Sequence, residues 1–199
     1  MKTNNNVMSV KKYVIVYSVL IVATILLDQL SKIWMAKLLD NNNVIKILGN
    51  WMTLSWTLNH GAAFGSMQNS PVLFFICTLL GLPVFGYFLW RARTRHPFGQ
   101  IGFAFMVGGT IGNAIDRAFL GDGFFNGGVR DFISVDGFAI FNIADCFLVV
   151  GIIMVCLALL FLDFDGVFVK QPASEEVTTK VEQNDQQLEQ QNGTENTND

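Results

Sequence analysis

The sequence has few of the residues from which disulfide frameworks and metal centres are built. It contains three cysteines, Cys77, Cys146 and Cys156, all within apolar runs, and two histidines, His60 and His96. Cysteines that are odd in number and lack CxxC or histidine-linked spacing support neither a disulfide framework nor a zinc site. The histidines lie in no HExxH motif. We therefore expect no metal and no cofactor, and we interpret the cysteines as apolar packing residues.

Charge is also scarce and unevenly distributed. Only 15% of the 199 residues are charged, 51% are hydrophobic, and the mean hydropathy is +0.41. These values differ from soluble-domain averages in the direction of a membrane protein. Every glutamate lies within residues 171–199, which have a single base, Lys180, and very few aliphatic residues. Such a composition cannot bury enough apolar surface to fold, so we expect a disordered acidic tail at 171–199.

Four stretches approach or reach the roughly 20 apolar residues that a helix needs to cross a bilayer. The run from Tyr13 to Leu27 is short for a span, so we expect it to continue beyond Asp28. The sequence therefore predicts a mainly α membrane protein, with a four-transmembrane-helix bundle inside a membrane-embedded domain of residues 1–170. The predicted spans are 13–38, 71–90, 98–119 and 139–162.

The segment between the first two predicted spans has a different pattern. Polar and apolar residues alternate from Trp51 to Leu58, after the turn signal Gly49-Asn50. This alternation is typical of a strand, so we expect a small extracytoplasmic β-hairpin or sheet after the first helix. Lys11, Lys12 and the arginines of 91–95 should face the cytoplasm. Both termini would then be cytoplasmic, and the hairpin would lie outside.

Four aspartates, Asp28, Asp116, Asp131 and Asp145, lie in or beside the predicted spans. Placing an ionisable side chain inside a membrane is energetically unfavourable, so each of these aspartates is a candidate functional residue. In the four-span topology all four gather at the outer side of the membrane. Two carboxylates that share one proton can hydrolyse a peptide bond without a metal. Spacing alone does not decide which two would form such a pair.

Other polar residues share helix faces with these aspartates. Lys32 follows Asp28 at i,i+4, which fits either a self-neutralised pair at a helix end, with Lys32 reaching the interface, or a direct role in a site. Asn113 precedes Asp116 by three residues, and Asn142 precedes Asp145 by three. These polar faces fit a site or a structural hydrogen-bond network between helices.

Two other classes of function fit the same residues. A small proton-coupled transporter could use membrane carboxylates as a proton relay, although four spans without a repeat are few for that fold. A non-enzymatic membrane scaffold could use the polar residues only to hold its helices together. Processing of a lipidated precursor by the purified protein would distinguish a peptidase from both.

Five blocks of the sequence resemble the ordered signature blocks of bacterial lipoprotein signal peptidases (signal peptidase II). Their order and spacing match the family from the first predicted helix to the fourth, which makes the resemblance specific. The blocks are Asp28-Gln29-Leu30-Ser31-Lys32, Asn59-His60-Gly61-Ala62-Ala63-Phe64-Gly65, Gly108-Gly109-Thr110-Ile111-Gly112-Asn113-Ala114-Ile115-Asp116-Arg117, Val129-Arg130-Asp131-Phe132 and Phe141-Asn142-Ile143-Ala144-Asp145. The acidic tail and a long loop at Gly121–Gly128 are departures from the family pattern.

The resemblance implies an intramembrane aspartic endopeptidase. It would remove signal peptides from diacylglyceryl-modified bacterial prolipoproteins and cleave just before the lipidated cysteine. The family's catalytic pair matches Asp131 and Asp145. Its substrate-binding or supporting positions match Asp28, Lys32, Asn59, Gly61, Asn113, Asp116, Arg117 and Asn142.

The resemblance also implies the surroundings and partners of the protein. It would be a multi-pass protein of the bacterial cell membrane, with its active site near the outer leaflet. The expected partners are the lipid bilayer, prolipoprotein substrates and the peptide inhibitor globomycin. We expect no nucleic-acid partner.

Overall fold

The computed structural model of the chain describes residues 8–40, 43–61, 71–121, 127–162 and 167, with the backbone alone described for 71–75. Through Leu162 these residues belong to one compact unit, Met1–Phe164. The predicted tail at 171–199 and residues 122–126 of the Gly121–Gly128 loop lie outside the described residues. The division into a membrane domain and a disordered tail therefore stays a prediction.

Four α-helices make up most of the described chain: α1 (Val10–Leu38), α2 (Pro71–Arg91), α3 (Pro97–Phe119) and α4 (Ile143–Phe161). The helices α1, α3 and α4 are each long and apolar enough to cross a membrane. Helix α2 coincides with the predicted second span, has 21 residues and carries Pro83 in its interior. The predominantly helical fold is confirmed, whereas the count of four spans stays a prediction.

Helix α3 contacts each of the other three helices. Its glycines allow this close packing, because a side chain would collide with a neighbouring backbone. A Cβ at Gly109 would lie 2.5 Å from the carbonyl oxygen of Ala144 on α4, and a Cβ at Gly102 would lie 2.8 Å from that of Gly151. The two helices consequently approach closely along their length.

The buried residues of α1 form a single stripe. Tyr13, Tyr17, Thr24, Asp28 and Lys32 are buried and share one face because their spacing follows the helical repeat. The remaining faces of α1 consist largely of exposed apolar side chains. Exposure of such faces to water is unfavourable, whereas the hydrocarbon of a bilayer can cover them.

The predicted hairpin is present and belongs to a three-stranded antiparallel sheet. Strands β1 (Ile45–Leu48) and β2 (Met52–Asn59) are joined by a turn in which Gly49 has a φ of 58°. The third strand, β3 (Val129–Val135), comes from the segment between α3 and α4 and pairs with β2. The sequence did not predict β3, whose side chains pack against the end of α1 through Phe132, Ile133, Met35 and Leu39.

Candidate active site

Asp145 lies in the first turn of α4 and forms a reciprocal cap with Asn142. The Asn142 side-chain oxygen accepts a hydrogen bond from the Asp145 amide, and Asp145 Oδ2 accepts one from the Asn142 amide, both at 3.1 Å. This capping box fixes the carboxylate at the helix N-terminus, where the aligned peptide dipoles favour negative charge.

Asp131 lies on β3 with only 2% of its surface exposed, and asparagine amides bind both of its carboxylate oxygens. Asn142 Nδ2 donates to Asp131 Oδ1 at 2.6 Å, and Asn59 Nδ2 donates to Oδ2 at 2.9 Å. Asn142 therefore contacts Asp131 through its side-chain nitrogen, and it contacts Asp145 through both its side-chain oxygen and its backbone amide. The two aspartates are therefore hydrogen-bonded to one shared asparagine.

Asn113 on α3 completes this arrangement. Its Nδ2 donates to Asp145 Oδ1 at 2.8 Å, and its Oδ1 accepts from Asn142 Nδ2 at 3.1 Å. Both carboxylates thus have each oxygen bound by an N–H donor. The buried amide groups hold the two acids without neutralising their charge.

The environment of Asp131 favours its protonated form. Burial, with the nearby negative charge of Asp145 as a further cause, raises the pKa of Asp131 from 3.8 to about 6, although the hydrogen bonds from Asn59 and Asn142 oppose the shift. A neighbouring carboxylate and a low-dielectric surrounding both disfavour a second negative charge. Asp131 is therefore suited to hold a proton close to neutral pH.

Gly61 and Arg117 also lie at this site. The Gly61 amide donates to Asn59 Oδ1 at 3.0 Å, which orients the asparagine that binds Asp131. Arg117 is partly buried, and its guanidinium interacts electrostatically more strongly with Asp145 than with Asp131. The site thus contains a fixed cation beside its two acids.

Lys32 is fully buried and binds three groups from two helices. Its Nζ lies 2.8 Å from Asp28 Oδ2, 2.9 Å from Asn113 Oδ1 and 3.2 Å from Asp116 Oδ2. The interpretation of Lys32 as a side chain that reaches the membrane interface is wrong, because Asp116 and Asn113 draw it into the bundle. The i,i+4 pair with Asp28 does form, but inside the protein.

Asp28 attaches α1 to α4 directly beneath the site. Its Oδ1 accepts from the Ala144 amide at 3.0 Å, in the same first turn as Asp145. A Cβ at Gly112 would lie 2.5 Å from Asp28 Oδ2, so glycine is needed there. All ten residues singled out from the sequence consequently lie in one connected region.

Two residues of this region were not singled out from the sequence. Gln29 Nε2 and Arg130 Nη2 both donate to Asp116 Oδ1, at 3.2 Å and 2.5 Å. Both lie inside the five blocks that resemble the family. Their place in these blocks was the available signal.

Within the described ranges, no group of three or more histidine, cysteine, aspartate or glutamate side chains could hold a metal ion. The metal-free chemistry expected from the sequence stays a prediction.

Comparisons with known proteins agree on one family. The family model described as signal peptidase (SPase) II matches residues 20–161. The chain is 40% identical over 147 residues to the lipoprotein signal peptidase of Clostridioides difficile, covering 74% of this chain and 96% of that protein. It is 34% identical over 147 residues to the enzyme of that name from Streptococcus agalactiae, covering 73% and 92%.

Solved structures show the same fold. One described as a bacterial membrane enzyme superimposes with a TM-score of 0.64 at 28% identity, covering 79% of this chain and 93% of that one. A second with the same description gives a TM-score of 0.61 at 25% identity, covering 79% and 97%.

Proposed function

This chain belongs to the signal peptidase II family, and we propose that it removes signal peptides from diacylglyceryl-modified prolipoproteins by an aspartic mechanism. Family membership favours a peptidase over a proton-coupled transporter or a scaffold. The observation that carries the aspartic mechanism is the pair Asp131 and Asp145, joined through Asn142.

In this mechanism the two carboxylates share one proton. Asp145, at the positive end of α4, is ionised and takes a proton from the attacking water. Asp131 is protonated and transfers its proton to the scissile carbonyl oxygen as water adds to the carbon, which gives a neutral gem-diol intermediate. The proton taken by Asp145 passes to the leaving nitrogen when the C–N bond breaks, and Asp131 recovers its proton from the intermediate's hydroxyl.

The surrounding residues support these steps. Asn59, Asn113 and Asn142 fix the carboxylates, and Gly61 orients Asn59. Arg117 offers a positive charge that can stabilise the developing oxyanion or bind a backbone carbonyl of the substrate. The remaining supporting residues, Asp28, Lys32 and Asp116, hold the helices on which the site is built.

The proposal includes a topology. The helices α1 to α4 all cross the cell membrane, both termini are cytoplasmic, and the site lies near the outer leaflet. The basic residues at Lys11, Lys12 and 91–95 support this orientation. Residues 171–199 form a cytoplasmic tail, and globomycin acts as an inhibitor at the site.

The test uses the purified protein in bilayer nanodiscs with two synthetic precursor peptides. One bears a diacylglyceryl-modified cysteine after its signal sequence, and the other has the same sequence with an unmodified cysteine. We expect cleavage of the lipidated peptide before the modified cysteine, no effect of EDTA, and inhibition by globomycin. Equal cleavage of both peptides would contradict the substrate, and loss of activity with EDTA, restored by added metal, would contradict the mechanism.

A further inference from the structure

Strand β3 directs two adjacent charged residues to opposite sides. Successive side chains of a strand alternate between its faces. Asp131 contacts Asn59 and Asn142 at the candidate active site, whereas Arg130 contacts Asp116 and Gln29 on the other side. Any interaction that fixes Arg130 therefore also fixes the backbone that carries Asp131.

Asp116 binds Arg130 through both the backbone and the side chain of the arginine. Its Oδ2 accepts from the Arg130 amide at 3.0 Å and from Nε at 3.2 Å, and its Oδ1 accepts from Nη2 at 2.5 Å. Asp116 is fully buried, and the Arg130 side chain is 13% exposed. This two-pronged geometry defines the position of a strand more narrowly than a single contact can.

Gln29 on α1 connects the pair to the rest of the bundle. Its Oε1 accepts from Arg130 Nη2 at 2.8 Å, and its Nε2 lies 3.2 Å from Asp116 Oδ1 and 3.0 Å from the Gly112 carbonyl oxygen. One amide therefore joins α1, α3 and β3. We refer to Gln29, Asp116 and Arg130 as the strand clamp.

The sheet alone does not determine where β3 lies relative to the helices. Its ladder joins β3 to β2, and that ladder is irregular between Leu54 and Thr57, next to the Thr57–Asp131 pair. Beyond Asp131, β3 is attached toward α4 by the hydrogen bonds between Ile133 and Phe141. Asp131 thus lies between two attachments, the strand clamp before it and the Phe141 bridge after it.

We propose that Gln29 and Arg130 are positioning residues that, through Asp116, fix β3 so that Asp131 stands opposite Asp145. This inference rests on the proposed function, because it assumes that Asp131 and Asp145 act together. Within the described part of the chain, the side-chain hydrogen bonds of Gln29 and Arg130 go to Asp28, Gly112, Asp116 and each other, so their effect on Asp131 passes through the strand.

The consequence is kinetic. Proton transfer and carbonyl polarisation depend steeply on the distance between the reacting groups, and a misplacement of about 1 Å can lower the rate roughly a hundredfold. Substrate binding depends less on Asp131 alone. Loss of the strand clamp should therefore lower kcat while leaving KM nearly unchanged.

The experiment measures kcat and KM for Arg130→Met, Arg130→Lys, Gln29→Met and the double variant Gln29→Met/Arg130→Met. Arg130→Met should lower kcat between about tenfold and a hundredfold with KM within about threefold. Arg130→Lys keeps the charge but not the two-pronged geometry, so its kcat should be intermediate. Because both residues act through one clamp, the double variant should lose little more than Arg130→Met.

The matched control is Lys46→Met, which removes a cation from β1, the strand farthest from β3 in the sheet. Its kcat and KM should equal those of the wild type. For every variant, thermal denaturation and size-exclusion chromatography measure the fraction of folded protein, so that rates refer to folded molecules.

Several outcomes would overturn the inference without touching the proposed function. They are a wild-type kcat for Arg130→Met while Asp131→Asn is inactive, a rise in KM at constant kcat, and a loss that disappears when rates are corrected for folded protein. Activity in folded Asp131→Asn would instead overturn the proposed catalytic pair.

Discussion

The two ends of the helix bundle are held together by different interactions. At the end that contains Arg91, the Tyr13 hydroxyl donates to the Leu89 carbonyl at 2.5 Å, and aromatic rings pack at centroid distances of 4.5 Å for Tyr13 and Tyr17 and 5.8 Å for Phe88 and Phe103. At the other end, near the sheet, buried carboxylates, amides and a lysine fill the space between α1, α3 and the start of α4.

The difference shows that helices of one bundle can be joined either by apolar packing or by buried polar groups. Aromatic packing predominates at the Arg91 end, and buried ion pairs are often no more stabilising than apolar residues of similar volume. In the proposed mechanism, the polar end supplies the charged groups that the reaction needs. Substitutions at one end can therefore be compared with substitutions at the other.

The largest effect is expected at the two proposed catalytic aspartates. Asp131→Asn and Asp145→Asn should each lower cleavage of the lipidated precursor by roughly a thousandfold or more, because neither amide can exchange the required proton. The double variant should lose little beyond either single one, since the two acids act as a unit.

The control for this comparison is Asp136→Asn, an exposed carboxylate just after β3. It should process the precursor at the wild-type rate. Near wild-type turnover by a folded Asp131→Asn or Asp145→Asn protein would require Asp28 or Asp116 to be reconsidered.

A large loss of stability is expected at Lys32. Lys32→Met leaves Asp28 without the cation that binds it and should lower the free energy of unfolding by about 3–5 kcal/mol. The double variant Lys32→Met/Asp28→Leu should recover part of that loss, because it removes the unpaired charge. Denaturant titration in detergent measures both values, and equal losses in the single and double variants would show that the pair is not coupled.

A moderate effect is expected from pH. Asp131 must be protonated to polarise the carbonyl, so kcat/KM should fall about tenfold per pH unit above its pKa of about 6. Bound substrate excludes more water and raises this pKa further, so the alkaline limb of kcat should lie at higher pH than that of kcat/KM. A kcat/KM that stays level from pH 5 to about pH 8 would exclude Asp131 as the acid.

The raised pKa of Asp131 should also make the protein less stable as pH rises. Asp131 binds its proton more tightly in the folded than in the unfolded protein, so its contribution to stability is complete below about pH 4 and is lost as pH rises through about 6. Asp131→Asn should lack this component, which a comparison of the two thermal denaturation profiles between pH 4 and about pH 7 would reveal.

The smallest effect is expected at the aromatic end. Tyr13→Phe removes one buried hydrogen bond to Leu89 and should lower the free energy of unfolding by about 1 kcal/mol. Turnover of the precursor should not change. A marked loss of activity in this variant would mean that the two ends are more closely coupled than their contacts indicate.

The sequence predicted which residues belong to the polar end better than it predicted how they are arranged. The helices, the hairpin and the family could be read from hydropathy, alternation and the five blocks, because each depends on local pattern. The third strand could not, because Val129–Val135 becomes a strand only by pairing with β2, a segment far away in the chain. The burial of Lys32 likewise depends on Asp116 and Asn113 from another helix.

The reciprocal cap between Asn142 and Asp145 limits how this site can be probed. Alanine at Asp145 would remove the acceptor for the Asn142 amide as well as the acid, and loss of a cap lowers stability by about 0.5–2 kcal/mol. Loss of activity in an alanine variant would therefore combine the effect of a frayed helix end with the effect of the missing acid. Asparagine retains an oxygen that can accept the same hydrogen bond, so it is the substitution that separates folding from chemistry here.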